Sequence, residues 1–205
     1  MSIRIGSLTK KFGSQVLFDH INFEIPLNKT TVLAGRSGCG KTTLLRMIAG
    51  LDKDYAGEIT GIPQKISFMF QEDRLIPWRS AKENIAFVLK DIMDIDTMNK
   101  IIDDMITFVQ LTGHEDKLPE NLSGGMKRRV AMARAFCYPA SLLLLDEPFK
   151  GFDAKLNMDM TALLNRLFIA ANKTVIMVNH DMSIMDNIDC KVINLDELVH
   201  NSPLA

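Results

Sequence analysis

The stretch Thr31–Thr43, TVLAGRSGCGKTT, constrains this chain more than any other. It opens on β-branched and apolar residues that read as the end of a buried strand. It then turns through Gly35, Gly38 and Gly40 and enters LLRMIAG, a helix-favouring sequence. Strand, glycine loop and helix in that order form an anion cradle. Glycines let consecutive backbone N–H groups curl around a phosphate, and the helix points its positive dipole end at the same spot. The spacing G-x-x-x-x-G-K-T from Gly35 to Thr42 makes Lys41 a mobile charge for β- and γ-phosphates and offers the Thr42 hydroxyl to Mg²⁺. A bare glycine turn with an exposed lysine would leave the strand before and the helix after unexplained.

Around this loop the pattern is that of an α/β chain. Ile3 and Ile5, then Val16, Phe18, Ile21, Phe23 and Ile25, broken by Gly13 and Pro26, predict two or three short antiparallel strands. Asp52–Gly61 is turn-rich, and Lys65–Gln71 reads as a strand. From Ser80 to Gln110 apolar residues recur at helical spacing. Ile85, Val88, Leu89 and Ile92 share one face, and Met98, Ile101, Met105, Ile106 and Val109 the next, which predicts two amphipathic helices. The runs Leu142–Leu145 and Thr174–Val178 suit strands covered on both faces, hence a mostly parallel sheet between helices, with a helix over Ala154–Ala171. The expected organisation is one domain, with residues 1–71 and 125–205 forming an α/β nucleotide-binding core with its N-terminal β subdomain, and 72–124 a helical insertion.

At 205 residues, one core or one core plus a small subdomain is the expected size. Lys and Arg total 24 against 25 Asp and Glu, so no basic excess points to nucleic acid. Cys39, Cys137 and Cys190 are odd in number and lack metal-ligand spacing, which reads as free thiols in a reducing compartment. The N-terminus lacks the apolar core of a signal peptide, and no apolar run approaches the roughly 18 residues of a membrane span. A cytosolic protein is expected, with membrane contact made through a partner.

Chemistry gathers at two further places. Asp146 ends the four-leucine run, at the sheet edge where open α/β sheets bind ligands, and is the natural second anchor for Mg²⁺. Glu147 follows, placed to orient or deprotonate an attacking water. Two acids solvated at a strand end are the bland alternative, which a long apolar strand ending in Asp-Glu-Pro disfavours. In LSGGMKRRVAMARA, Ser123 can cap a helix while Gly124 and Gly125 leave backbone N–H groups unobstructed, a second anion-binding helix start. One nucleotide needs one cradle, so the second implies either a second nucleotide or a second copy of the chain.

With these residues in place, nearly the whole chain resembles an ABC transporter ATPase subunit with the P-loop NTPase fold. The resemblance assigns Gly35, Arg36, Ser37, Gly38, Cys39, Gly40, Lys41, Thr42 and Thr43 to the Walker A loop and Gln71 to the Q-loop. It further assigns Ser123, Gly124 and Gly125 to the signature motif, Asp146 and Glu147 to Walker B and its catalytic glutamate, Asp153 to the D-loop and His180 to the switch histidine. Phe12 sits where the family places an aromatic on adenine; a phenylalanine beside a strand is otherwise a core residue. The segment QEDRLIPWRSAKENI is similar to that of ATPases serving importers for nitrate, sulfonates, taurine and thiamine precursors. In that family it lines the groove for the membrane subunit, so Trp78 either docks there or packs the subdomain. Met126 where glutamine is commonest, Lys150–Phe152 in the D-loop and Asn179 beside His180 depart from the usual pattern, and none removes a phosphate, magnesium or water ligand.

The resemblance implies ATP and Mg²⁺, the latter on Thr42, Asp146 and Gln71, with Lys41, Gln71, Glu147 and His180 catalytic. It also implies a head-to-tail homodimer, transmembrane permease subunits and, indirectly, a solute-binding protein, with the subunit peripheral on the inner face of the cell membrane. Mechanical signalling, lipoprotein release or a P-loop small-molecule kinase are the alternatives. With 25 residues after His180, no carboxy-terminal regulatory domain is expected. Cys39 is expected inside the phosphate cradle, open to alkylation until ATP covers it.

Overall fold

The computed structural model describes residues 1–169, 171, 173–179 and 188–200. Two long strands, β1 (Ser2–Phe12) and β2 (Gln15–Pro26), form an antiparallel hairpin, and β4 (Ala56–Thr60) adds to the other edge of β1. The stretch expected as turns is therefore partly strand. Gly57 and Gly61 signal turns in the sequence, yet a Cβ on Gly57 would lie 2.3 Å from the Ser7 carbonyl oxygen and one on Gly61 2.4 Å from that of Ser2. They are glycines because two backbones meet there.

The second sheet is five-stranded and parallel, in the order β5 (Ile66–Met69), β6 (Leu142–Asp146), β7 (Thr174–Val178), β3 (Thr30–Ala34), β8 (Cys190–Asn194). Its strands alternate sides. Leu143, Leu145, Val175 and Met177 join the core shared with the helices, while Leu142, Leu144, Ile176 and Val178 join the core under the antiparallel sheet and α1 (Lys41–Ile48). Four consecutive leucines at 0% exposure are the outcome of cover on both faces.

The helical part is less regular than its periodicity predicts. α2 (Ala81–Ala86) is short, opened by a capping box in which Ser80 and Glu83 bond each other's backbone N–H. Ile85 and Leu89 are fully buried, whereas Ile92 is 47% exposed because the chain has left the helix by that point. α3 (Ile95–Phe108) buries Ile102, Met105 and Ile106. α4 (Gly124–Cys137) packs on α2, α3 and β5 and so joins the helical part to the sheet. α5 (Ala154–Leu164) ends earlier than expected, in a π-helical turn over Asn165–Ile169, and α6 (Leu195–His200) follows β8.

Candidate active site

β3 delivers the glycine loop to the carboxyl edge of the parallel sheet, and the loop takes conformations that side chains resist. Gly35, Gly38 and Gly40 have φ of 141°, 82° and 102°. Lys41 is 5% exposed and folds back on the loop, its Nζ donating to the carbonyls of Gly35 (2.7 Å) and Arg36 (2.8 Å). The loop opens onto a cavity of 370 Å³, into which Ser37, Gly38, Gly40, Lys41, Thr42 and Thr43 project. The hairpin supplies one wall through Phe12, Gln15 and Leu17, and Gln71, Glu147 and Val178 supply another. Phe12 is 54% exposed there, with Lys10 Nζ 4.9 Å from its ring centroid. It is a rim residue and not a core one.

The end of β6 brings Asp146 and Glu147 to the glycine loop, and the end of β5 brings Gln71 beside Glu147. Thr42 Oγ1 donates to Asp146 Oδ1 at 3.1 Å, across 104 residues of sequence. Asp146 is 1% exposed, and burial pushes its carboxyl above the usual range. The Thr42 hydroxyl opposes that shift and the neighbouring Glu147 charge adds to it. A buried carboxylate beside a hydroxyl, destabilised by its own desolvation, suits a divalent cation. Glu147 has φ 50°, and its Oε2 accepts from Lys150 Nζ at 2.9 Å and Gln71 Nε2 at 3.3 Å.

Several residues that shape the site carry no signal in the sequence. Arg128, 5% exposed on α4, reaches main-chain carbonyls at the ends of both β5 and β6. Asp196 on α6 accepts from the Arg36 backbone N–H at 2.7 Å and so braces the glycine loop. Asn84, fully buried, donates to the carbonyls of Ile76, Arg79 and Ser80 and accepts from the Ile76 N–H, setting the shape of the segment that carries Trp78. Trp78 itself is 77% exposed, which removes packing as its role. An arginine in MKRR, an aspartate near a strand end and an asparagine in a helix are each ordinary surface residues by composition.

Other predicted residues stand elsewhere. Ser123, exposed, caps α4 by accepting from the Met126 N–H, and exposed Asp153 caps α5 by accepting from the Leu156 N–H. With Gly124 and Gly125, they lie outside the cavity wall. Gly35, Arg36 and Cys39 also do not line it. The reading of Cys39 as a thiol inside the cradle needs correcting: it is 8% exposed and belongs to the core under the antiparallel sheet. Its Sγ packs against Gly35 and lies 3.8 Å from Lys41 Nζ. His180 lies outside the described residues.

A family model for ABC transporters matches residues 18–150, the span that holds the glycine loop, Gln71, Ser123 and the Asp146–Glu147 pair. The chain belongs to the ABC transporter family. It is 38% identical over 179 residues to an aliphatic sulfonates import ATP-binding protein, SsuB 1 of Mesorhizobium japonicum, covering 85% of this chain and 68% of that one. The counterpart in Bacillus thuringiensis is 37% identical over 197 residues, covering 89% and 76%. Among solved structures, the dimeric post-hydrolysis state of the ATP-binding cassette MJ0796 bound to ADP and Pi superimposes with a TM-score of 0.83. That match is 27% identical and covers 94% of this chain and 93% of that one.

Proposed function

We propose that this ABC ATPase energises import of a small solute of the sulfonate, nitrate or taurine type, working as a head-to-tail pair. In that pair, the Walker A loop of one copy and the Ser123–Gly125 turn of the other enclose each ATP. The observation that carries this reading is the convergence of Lys41, Thr42 and Glu147 on one cavity, with buried Asp146 hydrogen-bonded to Thr42 behind its wall, while the exposed Ser123 turn lies outside it. The cavity is half a site, and a second copy supplies the rest. The dimeric cassette bound to ADP and Pi and the names of the sulfonate relatives support the reading.

In this mechanism the glycine-loop amides and Lys41 hold the phosphates, with Lys41 exchanging its loop carbonyls for phosphate oxygens. Thr42, Asp146 and Gln71 would hold Mg²⁺, which supplies positive charge to the β- and γ-phosphates. The Glu147 carboxylate accepts a proton from water as the water oxygen bonds to the γ-phosphorus. The bond from that phosphorus to the β–γ bridging oxygen breaks, leaving ADP and inorganic phosphate. ATP links the two copies through its γ-phosphate and ADP does not, so nucleotide state shifts the pair between closed and open by differential affinity. Asp153, exposed at the start of α5, belongs to the same interface.

No helix among the described residues is long and apolar enough to cross a membrane. Membrane contact therefore falls to a permease docking on the segment around Trp78, with the subunit peripheral on the cytoplasmic face and a solute-binding protein on the other side. A division into a core of residues 1–71 and 125–205 and a helical subdomain of 72–124 would assign that segment to the helical subdomain.

Glu147→Gln tests the chemistry: turnover falls by roughly 10²- to 10⁴-fold while ATP binding persists. Full activity in that variant refutes the role. Adding Ser123→Arg to Glu147→Gln abolishes ATP-dependent dimerisation in sedimentation, and an unchanged dimer overturns the shared site.

A further inference from the structure

We propose that Arg128 is a positioning residue that ties the signature helix of each copy to the catalytic end of its own active site. It thereby couples the two ATP sites. The inference rests on the shared-site reading above and adds to it a physical link between one site and the other.

The geometry is that of a fork across two strand ends. β5 and β6 pair in parallel with Met69 opposite Leu145, so the chain leaves both strands side by side. Arg128 Nη1 donates to the carbonyls of Phe70 (2.8 Å) and Gln71 (2.9 Å) and to Asp73 Oδ1 (3.2 Å). Nη2 donates to the carbonyls of Asp146 (2.8 Å) and Glu147 (2.6 Å). One nitrogen thus holds the segment of Gln71 and the other that of Glu147, whose side chains are 3.3 Å apart. A planar guanidinium spans both at a fixed separation, and an ammonium cannot. Glu147 sits at φ 50°, where a side-chain-bearing residue is seldom found, and the Nη2 bond to its carbonyl holds that backbone in place.

The origin of the fork gives it a second role. Arg128 stands about one helical turn beyond Gly124 on α4, the helix that Ser123 caps. In the proposed pair, that turn touches the nucleotide of the other copy. A shift of α4 on engaging or releasing that nucleotide moves the fork, and with it Gln71 and Glu147 of the copy that carries the helix. Four of the five acceptors are main-chain carbonyls, so the motion reaches the backbone of both segments whatever their side chains do.

Arg128→Lys in the full chain tests this. It keeps the charge and removes the fork, so turnover falls at least about tenfold while ATP affinity, measured in the Glu147→Gln background, changes by less than about twofold. The Hill coefficient for ATP falls towards 1. Asp73→Asn removes one contact of the fork at a carboxylate only partly buried, and lowers turnover about two- to fivefold without a change in melting temperature. Wild-type turnover and Hill coefficient in Arg128→Lys overturn the proposal, as does a loss of ATP affinity in step with turnover. If Arg128→Lys does not fold, unchanged turnover and cooperativity in Asp73→Asn overturn it. Glu147→Gln retaining full activity instead sinks the underlying mechanism, so the two failures are distinct.

Discussion

Lys150 Nζ lies 2.9 Å from Glu147 Oε2, a pair three residues apart that joins the D-loop to the proposed catalytic base. Lys150 is 63% exposed and Glu147 15%, so the contact is of the surface kind, worth about 0.2–1 kcal/mol. It occupies the carboxylate that receives a proton in the proposed mechanism. Lys150→Ala is therefore expected to raise ATPase turnover by about 1.4- to 5-fold, the kinetic equivalent of that energy, with little change in melting temperature. Steady-state assays at low and high salt check this, because screening should narrow the gap between variant and parent. A fall in turnover would show that the lysine assists the reaction.

Gly40 and Gly38 separate backbone strain from steric conflict. Both have positive φ, but a Cβ on Gly40 would meet the ring of fully buried Phe18 at 2.5 Å, while one on Gly38 meets nothing within 4 Å. Gly38→Ala should cost only the left-handed backbone penalty, about 1–2 kcal/mol. Gly40→Ala adds overpacking worth about 1–3 kcal/mol, and should melt at a visibly lower temperature. Calorimetry of the pair reads the difference, and equal melting temperatures would contradict the close approach of Phe18.

Thiol reactivity should follow burial and not the position of Cys39 in the motif. Cys39 and Cys137 are each 8% exposed, and burial pushes the Cys137 thiol up to about 12. Cys190 is the most exposed of the three. Alkylation followed by mass spectrometry should find Cys190 modified first. ATP should change the slow rate at Cys39 by less than about twofold. Rapid, ATP-protected labelling of Cys39 would restore it to the cradle.

Lys10, 2% exposed, donates to Asp52 at 2.9 Å and to the Asp54 carbonyl at 2.6 Å. Burial works against both charges. For Lys10, Asp52 and then Asp54 outweigh it and raise the pKa; for Asp52, Lys10 and the Asp54 backbone N–H outweigh it and lower the pKa. The Asp52 contribution is present above its ordinary value of 3.8 and is lost as pH falls through the lowered folded value. The Lys10 contribution is full below 10.5 and is lost as pH rises through the raised one. Lys10→Met should lower unfolding free energy by about 1–3 kcal/mol between those limits, and the gap should close beyond them. Urea titrations across pH check it; a pH-independent gap would mean that lost packing, not charge, is the cause.

Much of the site is legible from local order. Gly35–Thr42 is contiguous, and Ser37, Gly38, Gly40, Lys41 and Thr42 within it line one cavity. Leu142–Asp146 announces a strand covered on both faces because only such a strand can hide four leucines in a row. The helical spacing of Met105, Ile106 and Val109 likewise reports a buried face. Where the readings differ, a distant partner decides. Asp52–Gly61 has the composition of turns, and Ala56–Thr60 is a strand only because β1 offers it an edge. Ile92 has helical spacing, but the helix ends before it.

The sequence alone determined the glycine loop between strand and helix, the acidic strand end, the doubly covered sheet and the family, because each is a short-range pattern of side-chain size, charge and backbone freedom. Tertiary structure decided what those parts do to one another. It set Thr42 beside Asp146, turned Cys39 into the core, exposed Trp78 and buried Arg128 across two strand ends. Those relationships join residues tens to more than a hundred positions apart. Their energies come from desolvation and hydrogen-bond geometry that exist only once the sheet has brought the segments together.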